Sequence, residues 1–153
     1  MSVNNKVFSS KQEHLIPDYL SWKVVSGSGA RHTLPGDVCS DEWLGECKTH
    51  TTPCHTIIFQ LSHWKKIEAE ATAKFLQPAL FVDSGRQTVE DTWVLFKNTF
   101  DAITVSSEYI KIHNSSLSLT PRALDPNTIY SVGSTGLSVA SLQCFKSHVY
   151  VGD

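Results

Sequence analysis

The sequence predicts an α/β fold in which a mixed β-sheet is flanked by helices. Three observations carry that prediction. Residues 37–39 and 43–48 read as the two arms of a hairpin around the turn signal Ser40-Asp41-Glu42. Residues 63–76 place Trp64, Ile67, Ala71 and Phe75 at three- and four-residue steps, which makes one apolar helix stripe. The apolar run 78–83 follows that helix, closed by Asp83-Ser84-Gly85, and a second run follows at 92–96. Strand, helix and strand in this order imply a crossover unit that covers one face of a mixed sheet.

Taken in order, residues 1–9 read as a loose lead-in. Ser10-Lys11-Gln12-Glu13 has the form of a capping box, so a helix is expected from there to about Leu20, shortened or kinked by Pro17. Residues 22–25 form a short strand candidate. Ser26-Gly27-Ser28-Gly29-Ala30 then requires a flexible loop, although it is not a GxxxxGK[ST] phosphate loop. After the hairpin, residues 49–53 are loop-like and Ile57-Ile58-Phe59 is a short apolar run. Ser62 is placed to cap the central helix. Lys65, Lys66 and Lys74 fall off its apolar stripe, either as solvated charges or as a weak backbone-tracking patch. Beyond Phe100, residues 109–113 alternate like a strand and residues 114–136 read mostly as loop. Residues 137–145 read as a helix and 148–151 as a final strand. With no internal repeat and no long linker, residues 1–153 are expected to form a single domain.

Composition bounds the function. The chain is 41% hydrophobic and 18% charged, as in ordinary globular proteins. No apolar run approaches the roughly 18 residues of a membrane span, and Met1-Ser2-Val3-Asn4-Asn5-Lys6 lacks a signal-peptide core. The expectation is a cytoplasmic protein with no membrane partner. A net charge of −2 argues against a non-specific nucleic-acid binder, although a basic face can coexist with an acidic remainder. The cysteines, Cys39, Cys47, Cys54 and Cys144, form no CxxC pair. Cys47, His50, Cys54 and His55 could be imagined as a zinc site, but the two-pair spacing of such sites is missing, and buried thiols are the plainer reading.

The candidate chemistry lies in the hairpin. Pro35-Gly36-Asp37-Val38 is followed by Gly45-Glu46-Cys47-Lys48. Alternation along a strand puts Glu46 and Lys48 on one face and Cys47 on the other, and Asp37 on the neighbouring strand can lie beside Glu46. Two carboxylates and an ammonium at one point suit metal-assisted phosphodiester hydrolysis. Carboxylates hold a hard cation such as Mg²⁺, and a lysine can orient water or offset charge on phosphorus. The plainer alternative is a solvated Glu-Lys pair on a surface hairpin. Both carboxylates are expected at the surface. Arg31 and His32 add phosphate contacts or belong to a plain loop.

These segments resemble the PD-(D/E)XK nuclease superfamily, and within it archaeal-type Holliday-junction resolvases and small phage endonucleases. The likeness runs over about residues 10–97 and rests most specifically on Asp37, Glu46 and Lys48. Lys11-Gln12-Glu13, the 26–30 loop, Thr49, a helix ending in Glu-Ala and the strand Pro78-Ala79-Leu80 accompany them in the family's order. The resemblance implies a restriction-endonuclease-like mixed sheet flanked by helices, with the site at one sheet edge. It implies Mg²⁺ or Mn²⁺ held by Asp37, Glu46, the Cys47 carbonyl and Glu13, with catalysis by Asp37, Glu46, Lys48 and Glu13. Lys48 would position the attacking water. Ser28, Arg31, His32 and Thr49 would contact DNA, and cleavage would leave 5′-phosphate ends. Glu13 can serve as helix cap or metal ligand. Residues 98–153 have no counterpart in the resemblance.

Two functions follow as expectations. One is a divalent-metal-dependent DNA endonuclease, acting on branched or nicked DNA in a bacterial or phage-infected cell. Symmetric junction resolution would need a two-fold homodimer. The other is a non-catalytic protein that keeps the nuclease scaffold and binds or inhibits a partner protein.

Overall fold

A computed structural model describes residues 15–25, 37–97, 105–133 and 135–149, the Asp37 side chain excepted. Helix α1, residues 15–20, ends where Ser21 turns to φ 61°. The Trp22 N–H reaches back to the Pro17 carbonyl at 2.9 Å, a bond typical of helices that end through a left-handed residue. The Ser10 cap expected for this helix lies outside the described residues.

Strands β1 (Lys23–Val24), β2 (Asp37–Cys39) and β3 (Trp43–Thr49) make an antiparallel meander. The Ser40 hydroxyl closes the β2–β3 turn by accepting from the Trp43 N–H at 3.1 Å. The chain then forms β4 (Ile57–Gln60), helix α2 (Leu61–Ala73) and β5 (Gln77–Asp83). Strand β5 pairs parallel to β3 across its whole length, Trp43 opposite Gln77 and Thr49 opposite Asp83, so α2 lies in the crossover that the sequence predicts. Strands β6 (Thr92–Lys97), β10 (Leu137–Ser141) and β9 (Tyr130–Val132) extend the sheet in antiparallel pairing. The seven-stranded order is β1-β2-β3-β5-β6-β10-β9. A second, antiparallel sheet, β4-β8-β7, is built from β4 with the hairpin β7 (Ile110–His113) and β8 (Ser116–Leu119).

Two hydrophobic cores sandwich the large sheet. On one face Trp22, Trp43, Phe81, Phe96 and Phe145 pack with Ile16 and Leu20 of α1 and with the C-terminal segment. Their rings meet mainly edge to face, with Trp43 and Phe145 centroids 5.1 Å apart. On the other face Leu44, Leu80, Val82 and Leu95 meet Trp64, Ile67 and Ala71 of α2 and the inner residues of the small sheet, Ile57, Phe59, Leu117 and Leu119. The fold is therefore mixed α/β, with a large mixed sheet and a small antiparallel sheet flanked by helices. No described helix is long and apolar enough to cross a membrane.

Several expectations are corrected. The helix expected at 137–145 is strand β10 followed by the short helix α3 (Leu142–Cys144) and a π-helical turn at Phe145–Val149. Leu137-Ser138-Val139-Ala140-Ser141 lies between β6 and β9 and is buried along most of its length, so tertiary pairing overrides a composition that suits either state. The strand expected at 148–151 gives way to that same π-helical turn at its described positions, His148 and Val149. Residues 114–136 are turn and irregular chain over most of their described length, as expected, but they also hold two strands that the sequence reading lacks, β8 and β9, and a 3₁₀ turn at Pro121–Ala123. Helix α2 begins at Leu61, with Gln60 rather than Ser62 as its N-cap, and makes no side-chain cap there. The Leu61 N–H is met instead by the Ser115 carbonyl of the β7–β8 turn, at 2.9 Å. Helix α2 also stops three residues early, so Phe75, expected on the buried stripe, is 96% exposed.

Candidate active site around Glu46

The hairpin register sets Asp37 directly opposite Glu46. Beyond that pair, Cys47, Lys48 and Thr49 continue β3 with β5 as their described partner strand. Alternation works as the sequence requires. Cys47 is buried in the aromatic core, while Glu46 and Lys48 project to the face that α2 covers. Glu46 is 1% exposed, so the expectation of a surface carboxylate is corrected: α2 packs across β3 and β5 and takes this side chain out of water.

Two lysines meet that buried charge. Lys66 Nζ, from α2, lies 3.1 Å from Glu46 Oε1 and hydrogen-bonds to it, whereas Lys48 Nζ lies 3.7 Å from the same oxygen. Lys66 Nζ is also 3.5 Å from Glu70 Oε1, one helical turn further on. Both lysine side chains are about two-fifths exposed, so the cluster is in part open to solvent. The other Glu46 oxygen, Oε2, is buried with no hydrogen-bond partner among the described residues. Such an oxygen carries a desolvation cost that a protein rarely leaves unmet. His63, one turn before Lys66, belongs to the same cluster. Burial holds its imidazole below the ordinary range, the nearby Lys48 ammonium adds to this, Glu46 opposes it, and Lys66 adds a smaller push downward.

Of the residues that the sequence singles out, the structure brings together Glu46 and Lys48, with the Asp37 backbone in register beside them. Glu13, Ser28, Arg31 and His32 lie outside the described residues. Thr49 is turned to other use: its hydroxyl donates to Asp83 Oδ1 at 2.5 Å. Cys47 contributes a buried thiol to the opposite face. Lys66 and His63 join the cluster although the sequence reading gave neither a role there. Their i, i+3 spacing, continued by Glu70 at i+7, is the signal that would have found them, because it marks one charged stripe beside the apolar one.

A second polar network sits at the C-terminal ends of β3 and β5. Asp83 is fully buried and accepts from Thr49 and from the Gly85 N–H at 2.7 Å. The Ser84 hydroxyl donates to the Asp91 carboxylate, and Arg86 Nη1 donates to Ser84 Oγ at 2.8 Å and to the Cys54 carbonyl at 2.9 Å. This network ties the 50–56 and 84–91 loops together. The His50 carbonyl joins it by accepting from the Thr49 hydroxyl at 3.4 Å, while the His50 imidazole accepts from the Ile58 N–H of β4 at 3.4 Å.

The zinc constellation does not form. Among the described residues no three His, Cys, Asp or Glu side chains are grouped to hold a metal ion. For a hard divalent cation the fit rests on Glu46. Its buried Oε2, unpartnered among the described residues, is the kind of anionic oxygen that Mg²⁺ or Mn²⁺ takes, and the hairpin register sets Asp37 opposite it on the neighbouring strand. Comparison with protein-family models, with curated proteins and with solved structures found no match for this chain.

Proposed function

We propose that this chain is a divalent-metal-dependent DNA endonuclease of the PD-(D/E)XK kind, built on a restriction-endonuclease-like core. The observation that carries the proposal is the Glu46 carboxylate, buried with one oxygen unpartnered among the described residues, in register with Asp37 and within 3.7 Å of Lys48. The run of α1, a three-stranded meander, α2 and a parallel β5 supports the same reading. Asp37 and Glu46 would hold Mg²⁺ or Mn²⁺, with the Cys47 carbonyl and Glu13 completing the shell. When bound, the ion would polarise the phosphoryl oxygen and acidify a water. Lys48, part exposed and fixed at its base by β3, would orient the attacking water and offset charge on phosphorus. Ser28, Arg31 and His32 would contact the DNA backbone. Branched or nicked DNA is the favoured substrate, acted on in the cytoplasm of a bacterial or phage-infected cell, with a homodimer where two strands of a junction are cut.

One observation favours a second reading, a non-catalytic scaffold that binds a partner protein: Lys66 and Lys48 already neutralise Glu46 without any cation. The two readings separate on Lys48→Ala. The endonuclease reading expects metal-dependent cleavage slowed by about a hundredfold, the scale for removing a group that stabilises transition-state charge, with Mn²⁺ affinity by calorimetry largely retained. Unchanged turnover would remove Lys48 from the chemistry. Absence of both Mn²⁺ binding and cleavage in the wild type would favour the scaffold.

A further inference from the structure

We propose that Lys66 is a positioning residue that occupies the Glu46 carboxylate in the cation-free protein and passes to Glu70 when a divalent cation arrives. The inference rests on the reading of Glu46 as a metal ligand. Its support is that one ammonium stands almost evenly between two carboxylates. Lys66 Nζ is 3.1 Å from Glu46 Oε1 and 3.5 Å from Glu70 Oε1, so a small rotation of the side chain exchanges one partner for the other. Burial makes the two ends of that exchange unequal. Glu46 is 1% exposed and needs a counter-charge at all times, whereas Glu70 is 35% exposed and can be left to water. Lys66 itself is 40% exposed, and the buried Trp64 and Ile67 beside it fix the helix, so its movement disturbs no core residue.

The physical consequence is competition. A dication at Glu46 sits against the Lys66 charge, and the free energy of displacing Lys66 is subtracted from metal binding. Lys48 Nζ, carried by β3, lies 3.7 Å from the same oxygen and adds to the counter-charge there. The site would then remain neutralised when empty and bind its cation weakly enough to be set by supply.

The test is calorimetric titration of Mn²⁺ into wild type, Lys66→Met, Lys66→Arg and Glu70→Gln, with thermal unfolding of each measured with and without Mn²⁺. Lys66→Met is expected to bind Mn²⁺ roughly tenfold more tightly, to melt lower than wild type without metal and to recover when Mn²⁺ is added. Lys66→Arg keeps the charge and should stay near wild type. Glu70→Gln removes only an exposed partner, so it should fold normally and bind Mn²⁺ several-fold more weakly. Unchanged or weaker Mn²⁺ binding in Lys66→Met, with unchanged binding in Glu70→Gln, would make Lys66 a structural ion pair and overturn the inference. Absence of Mn²⁺ binding in wild type and in Lys66→Met alike would overturn the metal-site reading, and the inference with it.

Discussion

Glu46 is the residue at which stability and function pull apart. A carboxylate 1% exposed, with one oxygen unpartnered among the described residues, is an expensive group to keep in a sheet. Its two lysine partners are part solvated and can be left alone at little cost. Glu46→Gln should therefore leave thermal stability within about 1 kcal/mol of wild type, or raise it. A loss above roughly 3 kcal/mol by chemical denaturation would instead show that the ion pairs hold the fold together. The acid-x-lysine pattern and the one-face placement of Glu46 and Lys48 were legible in the sequence, because strand alternation is a local rule. Burial of Glu46 was not legible, since it depends on α2 crossing β3 from more than a dozen residues further along the chain.

At the scale of elements, what could be read depended on whether an element announces its own ends. The β2–β3 hairpin did, through Ser40, and its register emerged as expected. The end of α2 did not. Its closure has the two bonds of a Schellman motif, Leu76 N–H to the Ala71 carbonyl at 2.8 Å and Phe75 N–H to the Thr72 carbonyl at 3.1 Å. The left-handed position that usually holds glycine is filled by Phe75, at φ 59° and 96% exposed. Without a glycine to mark the stop, the apolar periodicity carries on past it. Phe75→Gly removes no packing and relieves the left-handed strain, so it should stabilise the chain by about 1 kcal/mol in urea unfolding. A destabilised variant would mean that Phe75 packs in solution. Strand β8 was hidden for a different reason. In Ser116-Leu117-Ser118-Leu119 the alternation is present, but serines on the less buried side make the segment look like loop.

For the whole molecule, the two-sided core explains why so much follows from β3. Its alternate residues feed both hydrophobic clusters, and the chemistry projects from the same strand. The loops at the C-terminal ends of β3 and β5 are joined by the Asp83, Ser84, Asp91 and Arg86 network, with His50 beside it. Burial lowers the His50 imidazole from its ordinary 6.5, against an upward pull from Asp91. The unfolded chain then takes the proton first as pH falls, so this contribution to stability is present above about 6.5 and is lost progressively below it, as the pH drops through the folded value. His63 acts in the same direction. Melting temperature should fall between about pH 8 and about pH 5, and by less in His50→Gln; an identical pH slope in that variant would remove His50 from the account. None of this network was read from the sequence, because Thr49 reaches Asp83, and Cys54 reaches Ser84 and Arg86, only once β3 and β5 are parallel neighbours.

The most direct test of the central claim is cleavage of a four-way DNA junction and a nicked duplex by wild type and by Glu46→Gln, each with Mg²⁺, Mn²⁺ or EDTA. The account predicts metal-dependent cuts bearing 5′-phosphates with wild type, abolished by EDTA and lost in a Glu46→Gln protein that melts as wild type does. Full cleavage by that folded variant would contradict the assignment of the site, and no cleavage by wild type with either metal would contradict the assignment of a nuclease.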